Sequence, residues 1–309
     1  MNKKIVSALL LLLQVSWAQG QGLPEVKLDQ TWKEKIYGLA PEKATFPISE
    51  KKKILVFSLH TGYEHWVIPH TEQMIKIISE KSGAFEVTGS KDISMFEAKN
   101  IAKYDAIVLN NTCSKGDHRN LFWDKLRADS DGDSAVLMKK ALQMEENLLQ
   151  YVEKGGGLLL VHGAVTTQNN SRAFSKLVGA SFDYHPPQQA IQIRLADPKH
   201  PLVQAFPATG FNHVDEPYFY KNAYADLDFK PLLYFNNAEI TNQKNPLTEG
   251  KTYVAWIRAQ GKGKVMYCSP SHNAQSFENP DLLRFYLNGL QYVVGDVECD
   301  ETPIGKGSL

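Results

Sequence analysis

Residues 148–164 read Leu-Leu-Gln-Tyr-Val-Glu-Lys-Gly-Gly-Gly-Leu-Leu-Leu-Val-His-Gly-Ala, and this stretch decides the fold. Leu137, Ala141, Leu148 and Val152 recur at helical spacing, so the stretch begins inside an amphipathic helix. Gly155, Gly156 and Gly157 end that helix with residues that tolerate left-handed backbone. Leu158-Leu159-Leu160-Val161 is then an unbroken apolar run, the pattern of a strand covered on both faces. It leads directly into His162, followed by Gly163 and Ala164.

Working outward, the same buried-strand signature appears at residues 52–59, around Ile54-Leu55-Val56-Phe57, and at 104–109, which ends in Asn110-Asn111-Thr112. Between them Met74, Ile75, Ile77 and Ile78 form a helical stripe, and Phe85-Glu86-Val87 reads as a short strand. Alternating strand and helix with buried strands predicts an α/β fold, a doubly wound, mostly parallel sheet with helices on both faces. Later segments are richer in strands, at 190–195, 211–220, 231–235, 253–257 and 265–268. A last helix starts at Asn279-Pro280, an Asn cap before a proline, with Leu283, Leu287, Leu290 and Val294 as its stripe.

No break in composition and no internal repeat divides residues 51–296, which are expected to form one domain. Residues 19–50, polar and carrying Pro24, Pro41 and Pro47, read as an arm, and 297–309 as a tail. Residues 114–134 read as a solvated insertion loop. Asp129, Asp131 and Asp133 around Gly132 resemble part of a calcium loop, but the glycine offset is wrong and the terminal glutamate is missing. Residues 1–18 read as a signal peptide: Lys3 and Lys4, an apolar run over 5–15, then Ser16-Trp17-Ala18 with cleavage expected after Ala18. That reading implies export to the periplasm or beyond, and no later segment is apolar enough to cross a bilayer.

Lys and Arg number 34 and Asp and Glu also 34, so no basic field exists to hold nucleic acid as the main partner. Cys113, Cys268 and Cys299 are widely spaced and form neither a disulfide framework nor a CxxC metal pattern. They are expected to be buried thiols.

In open α/β sheets ligands bind at the carboxyl ends of the strands, where loops from distant parts of the chain converge. Several polar groups fall there: His60, Tyr63 and His65 after the first strand, Asn110, Asn111 and Cys113 after residues 104–109, His162, and then Ser269, Ser271 and His272. His185, in Tyr184-His185-Pro186-Pro187, is placed to reach the same mouth from a loop. Asp215 and Glu216 are neighbours on an expected strand and should point to opposite faces, whereas Glu216 and Tyr218 share one. His162 and His272 are the candidates for proton transfer, because an imidazole titrates near neutrality. His65 and His185 are candidates for orienting a substrate, and Glu216, Tyr218 and Asn110 for binding its hydroxyls. His60, His70, His118, His200 and His213 read as structural. Trp66, Trp256 and Tyr218 offer aromatic faces for a sugar ring, although core packing explains a buried tryptophan as well. No cofactor is required by any motif; a divalent metal such as zinc on His65, His162 and His272, with Glu216, is the alternative, without the short-range spacing of HExxH.

The chain resembles the ThuA-like family, named for trehalose utilisation, within the class I glutamine amidotransferase-like superfamily. The matching pieces run in order: Gly62-Tyr63-Glu64-His65, Tyr151 to Leu158 into Val161-His162-Gly163-Ala164, Leu177-Val178-Gly179-Ala180-Ser181-Phe182 and Tyr184-His185-Pro186. They continue through His200-Pro201-Leu202, Asp215-Glu216-Pro217-Tyr218, Ala255-Trp256 and Gly261-Lys262-Gly263-Lys264-Val265 to Ser271-His272, covering roughly residues 51–296. The resemblance implies a flavodoxin-like fold and a link to sugar metabolism. In the amidotransferases a nucleophilic cysteine sits on the turn after the strand. Here that turn carries His162, so glutaminase chemistry is not expected, and Cys113 lies at another strand end.

The leading expectation is an enzyme acting on a sugar, keto-sugar or glycoside by hydrolysis, isomerisation or elimination. The competing ones are a non-catalytic carbohydrate-binding or sensing protein and a metal-dependent hydrolase.

Overall fold

The computed structural model describes residues 22–305, so the leader expected at 1–18 lies outside the described residues. In chain order the elements are α1 (Gln30–Leu39), β1 (Lys52–Phe57), α2 (Ile68–Ser82), β2 (Phe85–Ser90), α3 (Ala98–Ile101), β3 (Ala106–Asn110), α4 (Leu121–Asp129), α5 (Ser134–Glu153) and β4 (Gly157–Val161). They continue with α6 (Arg172–Val178), β5 (Ser181–Tyr184), β6 (Gln189–Leu195), β7 (Phe211–Asp215), β8 (Phe219–Lys221), β9 (Lys230–Asn236), β10 (Lys251–Gln260), β11 (Gly263–Cys268) and α7 (Pro280–Val293).

Nine strands form one sheet in the order β2-β1-β3-β4-β11-β10-β9-β6-β7, while β5 and β8 pair separately. From β2 to β11 every pairing is parallel, and from β11 to β7 every pairing is antiparallel. The sheet is therefore mixed, with a parallel block that positions the site and an antiparallel extension beside it.

The apolar runs behave as two-sided strands. In β1, Ile54 and Val56 join one core and Leu55 and Phe57 the other; in β4, Leu159 and Val161 oppose Leu158 and Leu160 in the same way. Side chains along a strand alternate between faces, so only a continuous apolar run can feed two cores. Helices α2 and α7 cover the first face, and α4, α5 and α6 the second. The stripe of α5 buries Leu137, Ala141, Leu148 and Val152, joined by Glu145, which accepts a short hydrogen bond from Ser171 at the start of α6. Asn279 caps α7 by accepting from the backbone N–H groups of Asp281 and Leu282.

The triple glycine has a steric reason. Gly155 sits at φ 119°, and a Cβ on Gly157 would lie 2.3 Å from the carbonyl oxygen of Val293 in α7. Helix α7 thus lies against the bare backbone where β4 begins.

Three expectations need correction. Residues 114–134 are not all loop: Asn120 caps α4, which buries Leu121 and Phe122, and Asp133 is the side-chain cap of α5 rather than a calcium ligand. The arm contains α1, whose Trp32 and Ile36, one turn apart, pack into the first core. The strand expected at 211–220 is broken after Asp215, and its second half pairs with β5 instead of extending the sheet. Pro217 explains the break, since it has no N–H to give to a ladder.

The chain leaves β1 for β2 on one side and returns to β3 on the other, so the strand order reverses between β1 and β3. A crevice outside the carboxyl ends is the geometric consequence.

Candidate functional site

At that edge two turns adopt left-handed backbone on residues with side chains: Asn111 after β3, φ 51°, and His162 after β4, φ 45°. Such conformations cost about 1–3 kcal/mol each and persist only where the surroundings hold them. Here the two turns hold each other. The Asn111 N–H donates to the carbonyl oxygen of Val161 (3.3 Å), the Gly163 N–H donates to Asn111 Oδ1 (3.2 Å), and Tyr267 Oη donates to the carbonyl oxygen of His162 (3.1 Å). A Cβ at Gly163 would lie 2.7 Å from both Cys113 Sγ and His65 Cε1, so glycine is what lets the β1 and β3 loops close over this turn.

The locked turn aims the His162 ring into a cluster. Its Nδ1 lies 2.8 Å from the carbonyl oxygen of Ser269, which can only accept, so Nδ1 carries a proton. Its Nε2 faces Glu216 Oε2 at 3.3 Å and His272 Nδ1 at 3.2 Å, and His272 Nδ1 is 3.1 Å from the same carboxylate oxygen. The His65 ring stands nearly perpendicular to both, with centroids 5.0 Å and 5.1 Å away. One ligand-type atom from each of His65, His162, Glu216 and His272 lies within 4.8 Å of the others, a donor set suited to a divalent metal.

The charges follow from this crowding. Burial pushes the Glu216 carboxyl upward, but its close contacts with the His162 and His272 imidazoles outweigh it and hold the group well below the usual carboxylate range. Burial pulls His272 downward, and Glu216 outweighs it, so this imidazole is raised. His65 is driven well below its ordinary value by burial and then by repulsion from His162 and His272; it is neutral. Behind the cluster Asp215 accepts from the His272 N–H at 3.2 Å and pairs with His213 at 2.5 Å. Its own carboxyl is lowered, because His213 overcomes the opposing effect of burial.

A cavity of about 260 Å³ opens onto one side of the cluster, walled by Tyr63, His65, Phe182, His185, Glu216 and Tyr218. Arg119 and Cys113 also face it. His185 stacks on Tyr218 at 5.3 Å and brings Nε2 to 3.7 Å from Glu216. Burial pushes the Cys113 thiol up to about 11, so it is no ready thiolate. His162 and His272 are 0% and 2% exposed and stand behind Glu216, out of the cavity wall.

The structure therefore gathers His65, His162, His272, Glu216, His185 and Tyr218 at one place. Asn110 is not there. Fully buried, it donates to Ser58 Oγ and to the carbonyl oxygen of Ile68, and so ties the first loop to β3 instead of facing a ligand. Trp256 is likewise a core residue, stacked on Phe229 and donating to the carbonyl oxygen of Val178. The aromatic walls are Tyr63, Phe182 and Tyr218. Asp215 and Glu216 do diverge, yet both approach His162, at 3.9 Å from Nδ1 and 3.3 Å from Nε2, because the chain leaves the sheet between them. His213 supports the site through Asp215; its place two residues earlier on the same strand face was the available signal. Nothing in the sequence pattern marked Arg119.

Comparison with known proteins adds a family. The profile described as ThuA, trehalose utilisation, matches residues 53–293. The fold is similar to a ThuA-like protein from Bacteroides uniformis (TM-score 0.60, 18% identity, 81% of this chain and 94% of that one). It is also similar to a ThuA-like protein from Parabacteroides merdae (TM-score 0.57, 16% identity, 84% of this chain and 96% of that one). No curated protein matches the sequence.

Proposed function

The chain belongs to the ThuA family, and from that premise we propose that it acts on a sugar, keto-sugar or glycoside bound in the cavity over Glu216, through proton transfers carried by the histidine cluster. The observation that carries this reading is a cavity lined by aromatic rings whose wall holds His65 and the ionised Glu216, with His162 and His272 buried directly behind that carboxylate. Aromatic faces suit the apolar side of a sugar ring, and a cavity of about 260 Å³ is small, suited to one ring rather than a long oligosaccharide.

Glu216 and His65 are the groups that touch the substrate. On a keto-sugar, either takes the proton from the carbon beside the carbonyl, and the electron pair moves onto the carbonyl oxygen as an enolate. Reprotonation at the former carbonyl carbon, with the hydroxyl proton of the first carbon passing to the former carbonyl oxygen, gives isomerisation. Departure of a substituent from the carbon on the far side of the deprotonated one, carrying its bonding pair and then taking up a proton, gives elimination. His162 and His272, behind Glu216, hold and exchange its proton and so act through it. The strand order β2-β1-β3-β4-β11 of the parallel block supports a flavodoxin-like, doubly wound description, with the cavity near the β1–β3 reversal. The His162 turn in place of a cysteine nucleophile supports chemistry other than glutaminase.

Two assays test the reading. The purified chain is incubated with glycosides and their 3-keto derivatives, with Glu216→Gln and His162→Ala alongside. Product from the parent chain alone supports catalysis. Saturable binding without turnover favours the non-catalytic binder, and neither binding nor turnover rejects both. We also propose export, on the basic and apolar start of the chain. The amino-terminal sequence of the mature protein should begin at Gln19, and an intact Met1 start in the cytosol would reject it.

A further inference from the structure

We propose that His65, His162, Glu216 and His272 form a binding site for one divalent transition-metal ion, held on His162 Nε2, His272 Nδ1, a His65 ring nitrogen and the Glu216 carboxylate.

The distances are those of ligands around one ion. Ligand bonds of roughly 2.0–2.2 Å put neighbouring ligand atoms about 3–3.5 Å apart. The separations among His162 Nε2, His272 Nδ1 and Glu216 Oε2 are 3.2, 3.3 and 3.1 Å. Hydrogen bonding alone leaves this arrangement short of protons. His162 spends its Nδ1 proton on the Ser269 carbonyl, so its neutral form presents a lone pair to Glu216, also an acceptor. Only His272 Nδ1 lies between the two as a donor, and one proton must then serve both.

The fourth group supplies an independent observation. His65 is 2% exposed, and its Nε2 is buried without a hydrogen-bond partner. Its Nδ1 faces Cys113 Sγ at 3.7 Å, which leaves Nε2 as the available ligand. A buried polar atom without a partner is destabilising, and a cation among four electron-pair donors removes that cost.

The surroundings are those a metal site needs. Ligating histidines usually give their other ring N–H to a carbonyl or carboxylate, which fixes the tautomer and orientation. Ser269 does this for His162, and Asp215, paired with His213, accepts from the His272 backbone N–H. Three imidazoles and one carboxylate are borderline ligands that favour zinc, manganese, iron or cobalt over calcium or magnesium. The cavity lies against Glu216 and His65, so an open coordination position there would face it. With the ion bound, the three imidazoles and Glu216 serve as its ligands in place of free bases, and the ion would polarise a carbonyl or hydroxyl oxygen of whatever the cavity holds; only this last step rests on the proposed sugar chemistry.

The test uses the full chain, stripped with a chelator and titrated with Zn²⁺ by calorimetry and with Co²⁺ by visible absorption. One equivalent of metal per chain is expected, with the intense d–d bands of a low-symmetry Co²⁺ site and a rise in Tm. Glu216→Gln and His272→Ala should bind at least about tenfold more weakly, while His118→Ala, away from the cluster, should match the parent. Glu216→Gln keeps the side-chain shape, so it reports even where His272→Ala does not fold. Absence of stoichiometric binding by the parent chain, or equal binding by Glu216→Gln, overturns the site. Metal binding without sugar turnover would leave the site standing and reject the sugar chemistry.

Discussion

The two ends of β3 and β4 each open onto a hollow, and the larger one is the less informative. At the amino ends a groove of about 330 Å³ runs between Tyr104, Asp105, Tyr151 and Lys154. Its polar groups are locally satisfied: Tyr151 Oη donates to the carbonyl oxygen of Tyr104, and Asp105 accepts from the Lys53 N–H. At the carboxyl ends the cavity is smaller, but polar atoms there, including His65 Nε2 and Arg119 Nε, are buried without partners. Folding avoids such atoms unless something else uses them. Volume does not single out the site; unpartnered polar atoms in the lining, His65 Nε2 and Arg119 Nε, belong to the smaller hollow and have no counterpart among the described residues that line the larger one.

The largest effect at the carboxyl end is expected from Glu216→Gln. A positioned acid or base contributes about 10²–10⁴ in rate, so kcat on a responsive sugar should fall by about that factor with Tm little changed. Chelation of the parent chain should cost a comparable factor, restored by adding back metal. A variant with undiminished kcat would remove the carboxyl end from the chemistry.

Gly163→Ala sharpens the same edge more gently. The new methyl would sit 2.7 Å from Cys113 Sγ and His65 Cε1, and overpacking of this kind costs about 1–3 kcal/mol. It should displace His65 and lower kcat roughly a hundredfold, as misplacements near 1 Å do, while Glu216 stays in place. Thermal unfolding and kinetics on one preparation separate the two effects.

At the amino end, Tyr151→Phe should lower stability by about 1 kcal/mol through its lost hydrogen bond and leave both kcat and metal affinity unaltered. A loss of activity there would reverse the assignment of the two edges.

How much of this contrast the sequence carried depends on what each residue does. The buried strands and the stripe of α5 were legible because they rest on periodicity, which a chain displays openly. Helix α4 was not, because only Leu121 and Phe122 are fully buried, with Trp123 and Leu126 half-covered beside them, in a short segment flanked by polar residues. The break after Asp215 was hidden by alternation, and Pro217 was the only sign of it. Among the site residues, His65, His162 and His272 were legible as strand-end histidines, since topology alone brings such loops together. Their depth was not: whether an imidazole lines the cavity or stands behind Glu216 depends on side-chain reach and on the left-handed turn at His162. Asn110 shows the same limit from the other side, a strand-end amide consumed by its own scaffold.

The smallest expected effect concerns a histidine that shares the burial of the cluster but not its partners. His70 is 3% exposed and meets Trp32 and Trp66 edge-on, at 4.8 Å and 5.3 Å. Burial lowers its affinity for a proton below the ordinary histidine value. A depressed folded value means the unfolded chain binds the proton more readily. The associated stability is therefore present above about pH 6.5 and declines as pH falls from there through the folded value. His70→Phe removes the titration and keeps an aromatic ring in the niche. Its Tm should accordingly fall less than that of the parent between neutral and mildly acidic pH, with catalysis and metal binding unchanged. Parallel Tm curves would mean that His70 is solvated enough to protonate freely, and its burial would then resemble that of the cluster less than the geometry indicates.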